Sequence, residues 1–356
     1  MRILFVVHNL GKDVPESKSS ALSGGCETFT YSLAHALSAE HVCYILYPDL
    51  KNKGVSYLHK IENFRNYTLK EYAYVSKFQH LREFERILSD ENIDLIHYQH
   101  LIHSPIEYPL IGKAKRIPQI LSLHDYYFIC EEHFLENDKY THCDVPQNIH
   151  KCVECLKFKS DTTPNIVKQR RVIMRELLEV MDKILAPSKS VQFDYFKIYG
   201  EEIGNKIEIV PIGVKMPVGV TKRERGEGDL IHVGVVNYLT YIKGWSPLVS
   251  VIRMCHSKLP NVRFKVTAPL DPHQMEFLKG WSNVDLGGRM YDDVDVVWIP
   301  SIAKESFSLV ASEAMMLGIP IMCRKTGALE CSSIQMMGTV SKSLRCWHVS
   351  VAIPRS

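Results

Sequence analysis

Nowhere in its 356 residues does the chain offer an apolar run approaching the roughly 20 residues that a bilayer crossing needs. An excess of one charge is missing too. The 43 basic and 40 acidic residues are mixed along the chain and leave a net +3, so composition gives no reason to expect nucleic acid as a partner. No Gly-x-Gly-x-x-Gly follows the first strand-like segment and no suitably placed acid closes such a pattern, which argues against an NAD-dependent enzyme. Met1–Asn9 carries only a short apolar stretch and reads as a first strand, not as an export signal. Internal repeats and low-complexity tracts are absent. What remains is a hydrophobic share of 46%, ordinary for a globular protein, in a chain long enough for two domains.

Strand-like and helix-like segments alternate from the start. Ile3–Val7, His41–Tyr47, Ile93–Tyr98, Ile117–Leu123 and Lys183–Ala186 read as strands. Glu27–Leu37, Lys77–Ser89 and Ile166–Met181 repeat apolar residues at helical spacing. Such alternation predicts a parallel sheet with helices on both faces. Residues 130–161 read as an irregular, polar insertion, and the charged segment 215–229 as a linker. After it the alternation restarts with Leu230–Val236, Trp245–His256, Val262–Ala268, Met275–Lys279 and Val294–Ile299. The chain therefore divides into an N-terminal domain, 1–214, and a C-terminal domain, 230–330, with an atypical tail at 331–356. In open α/β sheets ligands bind at the carboxyl ends of the strands.

The most informative segment runs from Pro300 to Pro320. An apolar strand leads into a polar loop holding Glu305, and a helix pattern follows that holds Glu313 and stops at Gly318 and Pro320. Eight residues advance a helix by about 800°, so the two acids cannot share a helix face. Glu305 belongs to the loop and Glu313 to the helix. The unsatisfied amides of Ser308, Leu309 and Val310 at the helix start suit a diphosphate. Lys243-Gly244 opens another helix, where a lysine can reach a phosphate as a mobile point charge. Gly24-Gly25, between the first strand and the first helix, lets backbone approach a ligand closely; a plain flexible turn is the alternative. His124-Asp125 ends the strand Ile117–Leu123, where a histidine followed by an aspartate can bind a polar substrate in a defined tautomer. Cys130, Cys143, Cys152 and Cys155 include one CxxC and could hold a tetrahedral structural zinc, with His133, His142 or His150 as substitute ligands. The alternative is a set of buried thiols.

The Glu305-x7-Glu313 segment resembles the signature of retaining glycosyltransferases of the GT-B fold, family 4. Glu27, Leu33, Ala34 and Leu37 after the paired glycines match that family's first-helix pattern, and Leu123-His124-Asp125-Tyr126-Tyr127-Phe128-Ile129-Cys130 is similar to its HDYWFLC segment. The resemblance spans Arg2 to Glu330. It implies an α/β fold of two facing Rossmann-like domains with a cleft between them, the second incomplete. The implied enzyme moves a sugar from a UDP-, GDP- or ADP-linked donor to a glycan or lipid-linked acceptor in polysaccharide biosynthesis. It needs no cofactor for catalysis and works in the cytoplasm, with peripheral contact at the inner membrane face. His124 and Glu305 are expected at the transferred sugar. Gly24 and Gly25 are expected to help bind the donor, Lys243 and the amides of Ser308, Leu309 and Val310 to meet its phosphates, and Glu313 to meet the ribose. Three features depart from the family pattern. An expected arginine near Val235 to Asn237 is not basic, Gly287–Tyr291 is short, and residues 331–356 show no β/α alternation. The tail reads as a truncation or frameshift product, which supports a second reading: a catalytically impaired GT-B-like binding protein.

Overall fold

The computed structural model describes residues 1–12, 14, 17–19, 24–64, 66–139, 141–143, 148–157, 162–221, 226, 228–236, 239–329 and 347–348. The chain forms two compact units. The first comprises residues 1–133, 147–154 and 161–212, and the second 134–146, 155–160 and 213–356.

The first unit contains, in order, β1 (Arg2–Val6), α1 (Gly25–Leu37), β2 (Val42–Pro48), β3 (Val55–Glu62), β4 (Asn66–Ala73), α2 (Lys77–Asp90), β5 (Leu95–Tyr98), α3 (Tyr108–Ala114), β6 (Gln119–Ser122), α4 (Ile149–Leu156), α5 (Pro164–Glu179), β7 (Lys183–Ala186), α6 (Lys189–Tyr199), α7 (Glu201–Lys206) and β8 (Ile207–Ile209). Its eight-stranded sheet has the order β4-β3-β2-β1-β5-β6-β7-β8. The six strands from β2 to β8 in that order are mutually parallel. The expectation of a wholly parallel sheet fails at one edge, where β3 and β4 form an antiparallel hairpin on β2. The reason is length. A parallel neighbour needs a crossover of about a dozen residues or more, and the links 49–54 and 63–65 are too short for one. Asn63 and Phe64 sit at φ 51° and 62°, the left-handed pair that turns a tight hairpin. Nor is the insertion irregular throughout. Helix α4 runs through it and carries both cysteines of the CxxC.

Side chains of Ile3, Phe5, Cys43, Ile45 and Tyr47 point from β1 and β2 to one face and meet Ala34, Leu33 and Leu37 of α1. Their period of two along each strand is what a pleated, two-faced sheet requires. The boundaries of α2, α5 and α6 follow from their caps. Ser76, Thr163 and Ser188 each accept from an amide three residues on.

The second unit contains β9 (Ile231–Val235), α8 (Trp245–Lys258), β10 (Val262–Val266), α9 (Pro272–Lys279), β11 (Val284–Leu286), β12 (Val296–Ile299), α10 (Leu309–Met316), β13 (Ile321–Cys323) and β14 (Trp347–His348). The sheet order β11-β10-β9-β12-β13-β14 is parallel throughout and is the doubly wound arrangement, with its switch point between β9 and β12. Alternate residues of β12 face opposite cores. Trp298 packs with Val233, Phe264, Leu248 and Ile252, whereas Val297 and Ile299 pack with Ala311 and Ala314 of α10 and with Leu317, which caps it. The tail, read as lacking alternation, supplies the two-residue edge strand β14. Its remaining residues, like linker residues 222–225 and 227, lie outside the described residues. Among the described residues no helix is long and apolar enough to cross a membrane.

Candidate active site

In the second unit the chemistry gathers beyond the carboxyl ends of β9 and β12. Gly244, at φ 101°, starts α8 so close to β12 that a Cβ there would lie 2.3 Å from the Pro300 carbonyl oxygen. Only glycine allows this approach. It sets Lys243 opposite the loop after β12, and the Lys243 ammonium lies 2.9 and 3.0 Å from the two carboxylate oxygens of Glu305. The same ammonium stands 5.4 Å from the Phe134 ring centroid. Glu305 is held by its backbone as well. Its carbonyl accepts from Ala328 N at 2.8 Å, and Gly327, at φ 60°, would clash with that carbonyl if it carried a Cβ. The glycine loop 327–329 thus backs the acid of the strand–loop–helix segment.

Helix α10 begins where expected, with Glu305 in the loop before it and Glu313 within it. Ser308 caps the helix, its hydroxyl accepting from Ala311 N at 3.3 Å, and Ser312 N bonds back to Ser308 O at 3.2 Å. The amides of Leu309 and Val310 remain at the head of the helix, where the dipole favours negative charge. The Glu313 carboxylate accepts a hydrogen bond from the Tyr291 hydroxyl through Oε2. Burial raises the Glu313 pKa above the usual carboxylate range, and the tyrosine bond opposes that rise. Burial and the facing carboxylate in turn push the Tyr291 phenol up. Sequence reading saw only that Gly287–Tyr291 was short. It had no signal for a phenol 22 residues before the acid it binds.

In the first unit a second polar cluster occupies the carboxyl ends of β1, β5 and β6. His124 Nε2 lies 2.7 Å from Gln99 Oε1, and the ring packs 5.3 Å from that of Phe29. Burial lowers the His124 pKa to about 4, so the imidazole is neutral at physiological pH. Nε2 then donates to Gln99, which leaves Nδ1 as the acceptor nitrogen. The adjacent aspartate does not set this tautomer, as the His124-Asp125 pairing suggested. Asp125 accepts instead from His100 Nε2 at 2.9 Å and from Tyr127 N at 2.9 Å. Burial alone would raise its pKa, but His100 and these hydrogen bonds hold it low. His100 Nδ1 accepts from Ile102 N at 2.9 Å, which fixes Nε2 as its protonated nitrogen.

Gly24 and Gly25 lead into α1, and their local purpose is visible. Gly24 N donates to Glu27 Oε2 at 3.1 Å, and a Cβ at Gly24 would press on that oxygen at 2.9 Å. The other oxygen of Glu27 lies 3.2 Å from His8 Nε2. Burial pushes the Glu27 carboxyl up, and the bonds from His8 and Gly24 more than reverse it. Glu27, His8, Gln99 and His100 are polar residues of this cluster that motif reading did not place in the site.

The predicted residues thus fall into two groups. Lys243, Glu305, Ser308, Leu309, Val310 and Glu313 come together in the second unit, and Gly24, Gly25 and His124 line the sheet end of the first. Cys130 and Cys152 belong to the first unit and Cys143 and Cys155 to the second, each partly buried. Among the described residues of either unit no group of three or more His, Cys, Asp or Glu side chains is placed to hold a metal ion.

The sequence profile of Glycosyltransferase Family 4 matches residues 23–216, more than half of the chain. No curated protein sequence matches it significantly. Among solved structures the chain is similar to sucrose-phosphate synthase from Thermosynechococcus elongatus, with TM-score 0.58, 14% identity, and coverage of 92% of this chain and 82% of that one. It is similar to Anabaena HepE in complex with UDP and glucose, with TM-score 0.55, 15% identity, and coverage of 92% and 81%. The pneumococcal O-GlcNAc transferase GtfA in complex with UDP and GlcNAc gives TM-score 0.55, 10% identity, and coverage of 92% and 85%. At these identities the likeness establishes the fold, which is GT-B.

Proposed function

We infer, from the membership of this chain in Glycosyltransferase Family 4, that it is a retaining glycosyltransferase carrying a sugar from a nucleotide-sugar donor to a glycan or lipid-linked acceptor in polysaccharide assembly. The observation that carries this reading is the second unit's arrangement. The Lys243–Glu305 ion pair stands beside the head of α10, and Glu313 follows on the helix. A nucleoside diphosphate needs each of these parts. The Leu309 and Val310 amides and the α10 dipole accept its phosphates. Lys243 exchanges part of its bond to Glu305 for the β-phosphate and stabilises charge on the leaving group. Glu305 orients the transferred sugar, and Glu313 accepts from the ribose hydroxyls. HepE and GtfA, both solved with UDP and a sugar, support this class of donor. Neutral His124, with Nδ1 as its acceptor nitrogen, suits a sugar hydroxyl better than an anion.

The test is thermal stability against UDP, GDP, ADP and their sugars. A ligand at 100 times its Kd stabilises the folded state by about 2.7 kcal/mol, enough for a rise of several degrees. One diphosphate is expected to raise Tm selectively, and Glu313→Ala to abolish that rise while the fold persists. A folded wild-type protein that no nucleotide protects would overturn the donor-site reading.

A further inference from the structure

We propose that Tyr291 is the positioning residue of the donor site, its phenol holding one oxygen of the Glu313 carboxylate so that the other is presented to a vicinal diol. This rests on the reading of Glu313 as a ribose ligand. Tyr291 is 1% exposed and packs with Val297, Ile299, Ala311 and Ala314, so its ring cannot swing away from α10. Its backbone lies at φ 69°, a conformation that costs free energy for a bulky aromatic residue and persists only where the surroundings enforce it. They do enforce it. Asp292 Oδ1 accepts from Thr221 N at 2.9 Å, Asp293 N donates to Thr221 O at 2.9 Å, and Lys265 Nζ donates to Asp292 O at 3.0 Å. The turn spends strain on aiming one hydroxyl at Glu313 Oε2. A packed phenylalanine would fill the same space, so the hydroxyl must serve the carboxylate.

The chemistry follows from what a diol requires. An ionised carboxylate only accepts, and it can take both hydroxyls of a ribose; a protonated one must donate through one oxygen and loses half of that capacity. Burial pushes Glu313 toward the protonated form, and the Tyr291 hydrogen bond pulls it back. Other charged groups on the surrounding elements have partners of their own: Asp292 with Thr221, Asp293 with Lys265 at 3.9 Å, and Glu305 with Lys243. Tyr291 is therefore the group whose removal should change the titration of Glu313.

The experiment measures calorimetric affinity for UDP, GDP and ADP, and for the 2′,3′-dideoxy form of whichever binds, from pH 5 to 8. Tyr291→Phe is expected to weaken the ribonucleotide about tenfold, the scale of one charge-assisted hydrogen bond. It should move the acid limb of binding up by about one pH unit and leave the dideoxy analogue unchanged. Equal weakening of both nucleotides, or an unmoved limb, would show a merely structural tyrosine and overturn the proposal. If the phenylalanine variant does not fold, a fluorotyrosine at 291, a stronger donor, should move the limb down, and no movement again overturns it. Glu313→Gln separates the two ideas. If it leaves the preference for ribose over dideoxyribose intact, the ribose reading of Glu313 falls before that of Tyr291.

Discussion

Neutralising either member of the Lys243–Glu305 pair should destabilise the second unit, and neutralising both should cost less than the sum. The magnitude follows from the contact. At 2.9 to 3.0 Å, unit charges attract by roughly 1.4 kcal/mol in bulk water and about 5.5 kcal/mol at the effective dielectric of a partly buried surface pair. Desolvation opposes that gain for Glu305, whose side chain is only 11% exposed, and solvent screens Lys243, which is 24% exposed. A coupling of about 2 kcal/mol is the balance. Lys243→Met leaves a largely buried carboxylate facing a methyl group, whereas Lys243→Met with Glu305→Gln leaves two neutral, compatible groups. The assay is a double-mutant cycle by urea denaturation, followed by a probe that reports on Trp245 and Trp298 in the second unit. Additivity within about 0.5 kcal/mol would refute the reasoning, because groups that do not interact add. The cycle also bears on mechanism. A lysine already discharged by Glu305 can meet a diphosphate only if the incoming anion competes with that carboxylate. Glu305→Gln should therefore tighten nucleotide diphosphate binding even as it impairs transfer.

Two further outcomes follow from the geometry. Burial lowers the pKa of His80 to about 4 and that of His97 to about 3, both below the unfolded value near 6.5. A depressed pKa means that the unfolded chain takes protons first, so their contribution is complete above about pH 6.5 and fades as pH falls toward 4. For His80 this is at most about 3 kcal/mol, and Tm measured against pH should drop across that window less steeply in His80→Phe than in wild type; parallel curves would dismiss it. Among the glycines, Gly327→Ala meets the Glu305 carbonyl at 2.3 Å and should cost more than about 2 kcal/mol, whereas Gly318→Ala, at φ 69° with nothing within 4 Å, should cost only about 1 kcal/mol by urea melts.

What could be read in advance, and what could not, divides by sequence distance. Glu305 in its loop and Glu313 on its helix were legible because strand, loop and helix are contiguous, and helical geometry alone separates the acids. His124 was legible as the residue that follows the strand-like run Ile117–Leu123, two positions beyond the end of β6. Its partner was not, because Gln99 lies 25 residues away, and for the same reason Asp125 was joined to the wrong histidine. Tyr291 was hidden by the same kind of separation. The β3–β4 hairpin was missed because its alternation mixes tyrosine, histidine and lysine with few pure apolar positions. Yet the separations in the first unit are not arbitrary. His97–Ser122, Gln99–His124 and His100–Asp125 are all 25 residues apart. The register of β5 against β6 places residues 23 apart directly opposite, as Ile96 and Gln119, so each of the three pairs is the diagonal neighbour two residues further on. A one-residue slip would turn every inward side chain of β5 to the other face and break all three pairs together. The buried apolar residues that flank these pairs, Ile96 and Tyr98 on β5 and Leu121 on β6, resist such a slip. The hydrophobic core of the sheet is thus what sets the tautomer of His124, through a register that no local motif records.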